Sequence, residues 1–87
     1  MPKKRRIVRL STNIRYLRDR GEYTQEFIAD LLGVSRFAIS KYEHGDRYPT
    51  MENVRRLAHL FNVTVDSLLN DDLSGVFASR GKEESNA

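Results

Sequence analysis

The sequence predicts an all-α fold in which five short helices pack into one compact bundle. Apolar residues recur every three or four positions through most of the chain, which is the spacing of an amphipathic helix. Capping residues and glycines divide this pattern into five segments, and no segment shows the regular alternation of a half-buried strand. A chain of 87 residues is long enough for a single helical core.

The basic residues are concentrated at the N-terminus. The net charge is +3, but residues 1–20 carry eight lysines or arginines against one acid, which gives 8 − 1 = +7. Such a block attracts the phosphates of nucleic acids. The chain has no cysteine and no apolar run of membrane-spanning length. We therefore expect a soluble, cytoplasmic protein with no membrane contact and no thiolate metal site.

Residues 1–10 are expected to form a basic arm ahead of the first helix that is mobile through Arg6. The arm's cations either remain solvated, or reach along the DNA backbone or into a minor groove, as arms of other DNA-binding proteins do. The sequence leaves both roles open. The residues concerned are Lys3, Lys4, Arg5 and Arg6.

The first helix is predicted over residues 11–20. Ile14 and Leu17 lie on its inner face, and Leu10 extends that face toward the N-terminus. Gly21 is expected to stop the helix, because glycine is a poor helix former and a common residue at helix ends.

Residues 25–42 contain two short amphipathic helices that meet at Gly33, which is the pattern of a helix-turn-helix motif. Glycine suits the residue after a helix because it adopts the left-handed conformation without strain. Thr24 and Ser35 are predicted to cap helices 2 and 3. Ala29 is small enough for close helix crossing. The remaining residues expected on the inner face are Ile28, Leu31, Leu32, Val34, Ile39 and Tyr42.

Two further helices complete the predicted domain over residues 11–69. Helix 4 spans residues 51–61, follows Pro49 and is capped by Thr50. Helix 5 is capped by Thr64. Their inward residues are predicted to be Val54, Leu57, Ala58, Phe61, Val65, Leu68 and Leu69. Residues 70–87 form a tail that is partly disordered, or that contacts a second subunit or another protein through its apolar stretch LSGVFAS.

Several short motifs together resemble the phage Cro and repressor proteins and the XRE-type bacterial regulators. They include TQ at Thr24, GVS at Gly33, YEHG at Tyr42, the Pro49–Thr50 pair, and the closing NVTVDSLL. The resemblance implies a lambda-repressor-like bundle in which helices 2 and 3 form the helix-turn-helix. It also implies a bacterial or phage, nucleoid-associated regulator that binds pseudo-palindromic double-stranded DNA as a homodimer. Glu22 stands where many relatives have glycine, so the exit from helix 1 is expected to differ.

The outward face of helix 3 supplies the predicted base readout. Arg36 can donate two hydrogen bonds to guanine, or it can contact a phosphate. Phe37 can cover a thymine methyl group, or it can pack against its own helix pair. Ser40 and Lys41 can each approach a base or the backbone. The predicted readout set is Arg36, Phe37, Ser40 and Lys41.

The predicted phosphate contacts come from helix ends and the following loop, where amide groups and the helix dipole favour anions. They are Thr24, Gln25, Ser35, His44, Arg47 and Thr50. Glu43 would repel phosphates if it were unpaired, and the resemblance supplies Arg18 as its ion-pair partner.

No cofactor, metal site or catalytic centre is predicted, because no suitable cluster of ligands or nucleophile with a base can be assembled. The leading functional prediction is a sequence-specific transcription regulator, most simply a repressor. The alternative is an antitoxin-type interaction module, whose tail holds a protein partner while its domain binds its own promoter.

Overall fold

The computed structural model describes residues 2–76, with side chains described from Arg9 onward. Within that part the chain is helical and has no strand, which confirms the predicted all-α bundle. A sixth helical segment, residues 73–76, follows the five predicted helices. The five are α1 (Pro2–Arg20), α2 (Gln25–Leu32), α3 (Arg36–His44), α4 (Met51–Phe61) and α5 (Val65–Asn70).

Helix α1 begins at Pro2, so the predicted helix start at residue 11 is wrong and the backbone of residues 2–10 is helical. Proline is well suited to the first position of a helix, and lysine and arginine are good helix formers. The prediction failed because it required apolar residues at helical spacing, and the basic residues 3–6 include none. The side chains of Lys3, Lys4, Arg5 and Arg6, and residues 77–87 of the tail, lie outside the described residues.

The core contains buried apolar residues from all five helices and the sixth helical segment, which pack into one cluster. The fully or almost fully buried side chains include Leu10, Ile14, Ile28, Ile39, Val54, Leu57 and Leu68. Ala29 is also buried, as expected for a small residue at a close helix crossing. Val34, Phe61, Val65 and Leu69 are half-buried at the edge of this cluster.

Leu31 is 43% exposed, so its predicted place on the inner face of α2 is wrong. Ile28 and Leu32 are four residues apart and occupy the centre of the buried stripe. Leu31 lies at the side of that stripe, where it lines an open surface cavity with Arg55, His59 and Leu60 of α4.

Four hydroxyl side chains cap the N-termini of the helices, and each accepts a hydrogen bond from the backbone N–H three residues later. They are Thr24, Ser35, Thr50 and Thr64, as predicted. At the end of α1, Glu22 rather than Gly21 adopts a left-handed conformation, with φ of 59°. The departure from the family pattern at this position therefore places a non-glycine residue in a backbone region that glycine favours.

Gly33 ends α2 in the left-handed conformation, with φ of 69° and ψ of 34°. A Cβ atom added there would meet no atom within 4 Å. The Gly33→Ala variant is therefore expected to lose about 1–2 kcal/mol of unfolding free energy through backbone strain alone, measured by urea denaturation. Gly33→Asn is the matched control, because asparagine tolerates this conformation better. An equal loss in both variants would contradict the explanation.

Asn13 joins α1 to the C-terminal part of the described chain and is fully buried, with 0% exposure. Its Nδ2 donates to the carbonyl oxygens of Leu68 and Asp71, at 2.9 and 2.8 Å. Its Oδ1 accepts from the backbone N–H of Leu73 at 3.2 Å. This role of Asn13 was not predicted. The feature that could have indicated it is the position of Asn13, a polar residue on the apolar face of α1, three positions after Leu10.

The sixth helical segment begins after Asp72, whose carboxylate accepts hydrogen bonds from the Ser74 hydroxyl at 2.7 Å and the Gly75 N–H at 3.3 Å. These bonds, led by the one from Ser74, hold the pKa of the Asp72 carboxyl below its ordinary value. Leu73 is buried against the domain. Part of the apolar tail segment is therefore used within the fold.

Candidate nucleic-acid interface

Helix α3 has one buried face and one exposed face. Ala38, Ile39 and Tyr42 are buried in the core and fix the helix axis. Arg36 and Phe37 are exposed, and Ser40 and Lys41 are half-buried. The structure thus brings the four predicted readout residues onto one side of α3.

An ion pair locks α3 to α1. The Arg18 Nε atom lies 2.5 Å from Glu43 Oε2, and its Nη2 atom lies 3.1 Å from Oε1, which is a bidentate arrangement. Arg18 also donates to the backbone carbonyl of Tyr23 at 3.1 Å. The Glu43 side chain is only 3% exposed. Hydrogen bonding to Glu43 raises the pKa of the Arg18 guanidinium above its already high ordinary value, so Arg18 stays protonated.

The ion pair with Arg18 offsets the negative charge of Glu43, which would otherwise be unfavourable at this end of α3. An unpaired carboxylate near the end of α3 would repel DNA phosphates and would oppose the negative end of the helix dipole. Arg18 neutralises this charge inside the protein. The exposed face of α3 can therefore present its cations without a competing acid.

Gln25 connects this ion pair to the start of α3. Its Nε2 donates to Glu43 Oε1 at 3.2 Å, and its Oε1 accepts from Arg36 Nε at 3.5 Å. The amide orientation follows from chemistry, because a carboxylate only accepts and a guanidinium only donates. Gln25 was predicted to contact a phosphate. In the structure its amide bridges two side chains, and its phosphate contact stays a prediction.

Lys41 and Phe37 interact on the exposed face of α3. The Lys41 Nζ atom lies 4.9 Å from the centroid of the Phe37 ring, a cation–π distance. Phe37 is 69% exposed, so it does not pack between the two helices of the motif. The ring is held by a neighbour one turn later on its own helix.

The other predicted phosphate-contact residues lie at the N-termini of α2, α3 and α4, at the end of α3 and in the loop that follows it. Thr24, Ser35, Arg47 and Thr50 are exposed, and three of them already cap helices through their hydroxyl oxygens. A capping hydroxyl keeps its own O–H available as a donor. The His44 Nδ1 atom lies 2.7 Å from the Ser40 carbonyl oxygen and donates to it, which leaves Nε2 facing away from that bond.

Among the described residues, no group of three or more His, Cys, Asp or Glu side chains is arranged to hold a metal ion. In the described part of the chain, no helix is both long enough and apolar enough to cross a membrane.

A helical bundle with a capped two-helix motif and a cationic exposed helix defines a DNA-binding domain of the helix-turn-helix class. A helix-turn-helix family model matches residues 14–68. The chain therefore belongs to the helix-turn-helix family, of the XRE type. This confirms the family that the sequence motifs indicated.

Several known proteins are similar to this chain. The HTH-type transcriptional activator BcrR of Enterococcus faecalis is 44% identical over 59 residues, which cover 68% of this chain and 29% of BcrR. The cryptic phage CTXphi transcriptional repressor RstR of Vibrio cholerae is 40% identical over 45 residues, which cover 52% of this chain and 40% of RstR. The chain spans less than half the length of these two relatives.

Among solved structures, the restriction-modification controller protein C.AhdI of Aeromonas hydrophila matches with a TM-score of 0.63 and 27% identity. The match covers 71% of this chain and 94% of C.AhdI. These similar proteins are transcription regulators and a controller protein, not enzymes.

Proposed function

We propose that this chain is a DNA-binding transcription regulator that acts as a repressor and binds a pseudo-palindromic operator as a homodimer, with α3 in the major groove. The observation that carries the proposal is the exposed face of α3. It presents Arg36, Phe37 and Lys41 outward while the ion pair between Arg18 and Glu43 holds the helix in place. No acid among the described residues forms a salt bridge with Arg36 or Lys41. The similar protein RstR is named a repressor, which supports repression as the direction of regulation. BcrR, in contrast, is named an activator.

Within this proposal, Arg36 reads guanine and Phe37 covers a thymine methyl group. Arg36 is the first residue of α3, and the N-terminal residues of a recognition helix approach base edges. The hydrogen bond to Gln25 uses the Nε atom of Arg36, so the two Nη atoms of the guanidinium group can donate to a base. Thr24, Ser35, Arg47 and Thr50 surround this helix as phosphate contacts that position it without reading sequence.

The proposed homodimer uses the surface around α5. Val65 and Leu69 are half-buried there, and Val76 is 41% exposed. A dimer of helix-turn-helix domains reads two half-sites about one helical turn, roughly 34 Å, apart. Sedimentation with and without operator DNA would measure the oligomeric state.

The Arg36→Ala variant is expected to lose about 1–3 kcal/mol of binding free energy for the preferred site and to relax the preference at one base position in each half-site. The measurement is selection of bound DNA from a random pool, followed by binding titrations on the selected duplex. Arg36→Lys is the matched control. Lysine keeps the charge but lacks the rigid planar fork of arginine, so a relaxed preference at the same base position is expected.

Uniform weakening in Arg36→Ala together with full recovery in Arg36→Lys would make Arg36 a phosphate contact instead. Selection that yields no preferred sequence for the parent protein would contradict the proposed function itself.

The antitoxin-type alternative depends on the tail. Leu73, one of the apolar residues that this alternative offered to a partner, is buried in the domain. Among the apolar side chains of the described tail, Val76 is the one that remains exposed. Co-purification of a specific protein that is released when the tail is altered would favour this alternative.

A further inference from the structure

Phe37 is the most exposed of the large apolar side chains in the described part of the chain. Its neighbours Ala38 and Ile39 supply the core contacts of this turn, so Phe37 contributes little to packing. The ring is nevertheless restrained, because the Lys41 ammonium lies over one of its faces. An apolar, oriented surface therefore stands on the helix that the proposed function places in the major groove.

A phenyl ring can recognise little of a base pair. It has no donor or acceptor, so it does not distinguish the O4 atom of thymine from the N4 amino group of cytosine. The remaining feature of a pyrimidine in the major groove is its C5 substituent, which is a methyl group in thymine. The same methyl group is present in 5-methylcytosine, whereas uracil and cytosine carry hydrogen at this position.

We propose that Phe37, held by Lys41, reads the 5-methyl group of a pyrimidine, and that duplex DNA containing 5-methylcytosine at the contacted position is a ligand of this domain. The inference rests on the proposed function, because it requires α3 to enter the major groove. It adds a response to cytosine methylation, which sequence recognition by hydrogen bonding alone does not provide.

The expected effect is about fourfold in affinity for each contacted methyl group, the ratio that corresponds to about 0.8 kcal/mol for one buried carbon group. The experiment starts from the duplex obtained by selection. Each thymine is replaced in turn by uracil, which removes the methyl group and changes no hydrogen-bonding group of the base. The position at which this replacement lowers the binding affinity is the one that Phe37 contacts.

Four duplexes are then compared at that position, with thymine or uracil opposite adenine and with 5-methylcytosine or cytosine opposite guanine. The two affinity ratios, thymine to uracil and 5-methylcytosine to cytosine, each report a single methyl group. Both ratios are expected to be about fourfold for the parent protein and close to one for Phe37→Ala. Leu31→Ala, which truncates an exposed apolar side chain of α2, is the matched control and should retain both ratios.

Ratios close to one in the parent protein, or ratios that persist in Phe37→Ala, would overturn the inference. A thymine effect without a 5-methylcytosine effect would also overturn it. In each of these cases an Arg36-dependent preference would leave the proposed function standing. Failure to select any site would remove both proposals together.

Discussion

The Arg18→Met variant is expected to lose about 3–5 kcal/mol of unfolding free energy, because it leaves the buried Glu43 carboxylate without its cation. Methionine preserves most of the apolar stem of the side chain, so the loss reports the charge and its hydrogen bonds. Urea denaturation followed by circular dichroism gives the measurement. Arg15 is an exposed arginine on the same helix, and Arg15→Met should change stability by less than about 0.5 kcal/mol.

A second variant keeps this test informative if Arg18→Met does not fold. The double variant Arg18→Met with Glu43→Leu removes both charges and is expected to recover most of the lost stability, since well-packed apolar residues can replace a buried ion pair. Equal stability of the Arg18→Met and Arg15→Met proteins would show that the ion pair does not hold α3 to α1.

The Asn13→Leu variant is expected to lose about 2–4 kcal/mol, because three backbone groups lose their hydrogen-bond partner in or near the core. Leucine has the same number of side-chain heavy atoms with the same branching and is no smaller than asparagine, so a cavity does not explain the loss. Thr12→Ala changes the exposed neighbour on α1 and should be nearly neutral.

Hydrogen exchange provides a local measurement for the same variant. The amide of Leu73, which donates to Asn13 Oδ1, should exchange faster in Asn13→Leu than the loss of global stability alone requires. Unchanged protection of this amide would show that the sixth helical segment docks without Asn13.

The sequence predicted the structural features that depend on interactions between residues close together in the chain. Thr24, Ser35 and Thr50 each cap a helix through a bond to the residue three positions later, and Gly33 acts through its own backbone angles. Such interactions can be read from a few neighbouring residues. The bounds of α4 followed directly from Thr50 and the apolar spacing after it.

The structural features that were not predicted, or were predicted wrongly, depend on contacts between distant parts of the chain. Asn13 bonds to residues 55 to 60 positions away, and its role is visible only when α1 and α5 are side by side. The exposure of Leu31 depends on what covers the side of α2. Gln25 was recognised as a polar residue at a helix start, but its bridge between Glu43 and Arg36 needs three elements together.

The bonds of Asn13 to Asp71 and Leu73 also have a practical consequence for the design of fusion proteins. A boundary placed at residue 69, where the predicted domain ended, would cut away two of the groups that satisfy a fully buried amide. A linker or a partner domain should therefore be attached beyond Val76, so that the sixth helical segment, residues 73–76, is retained.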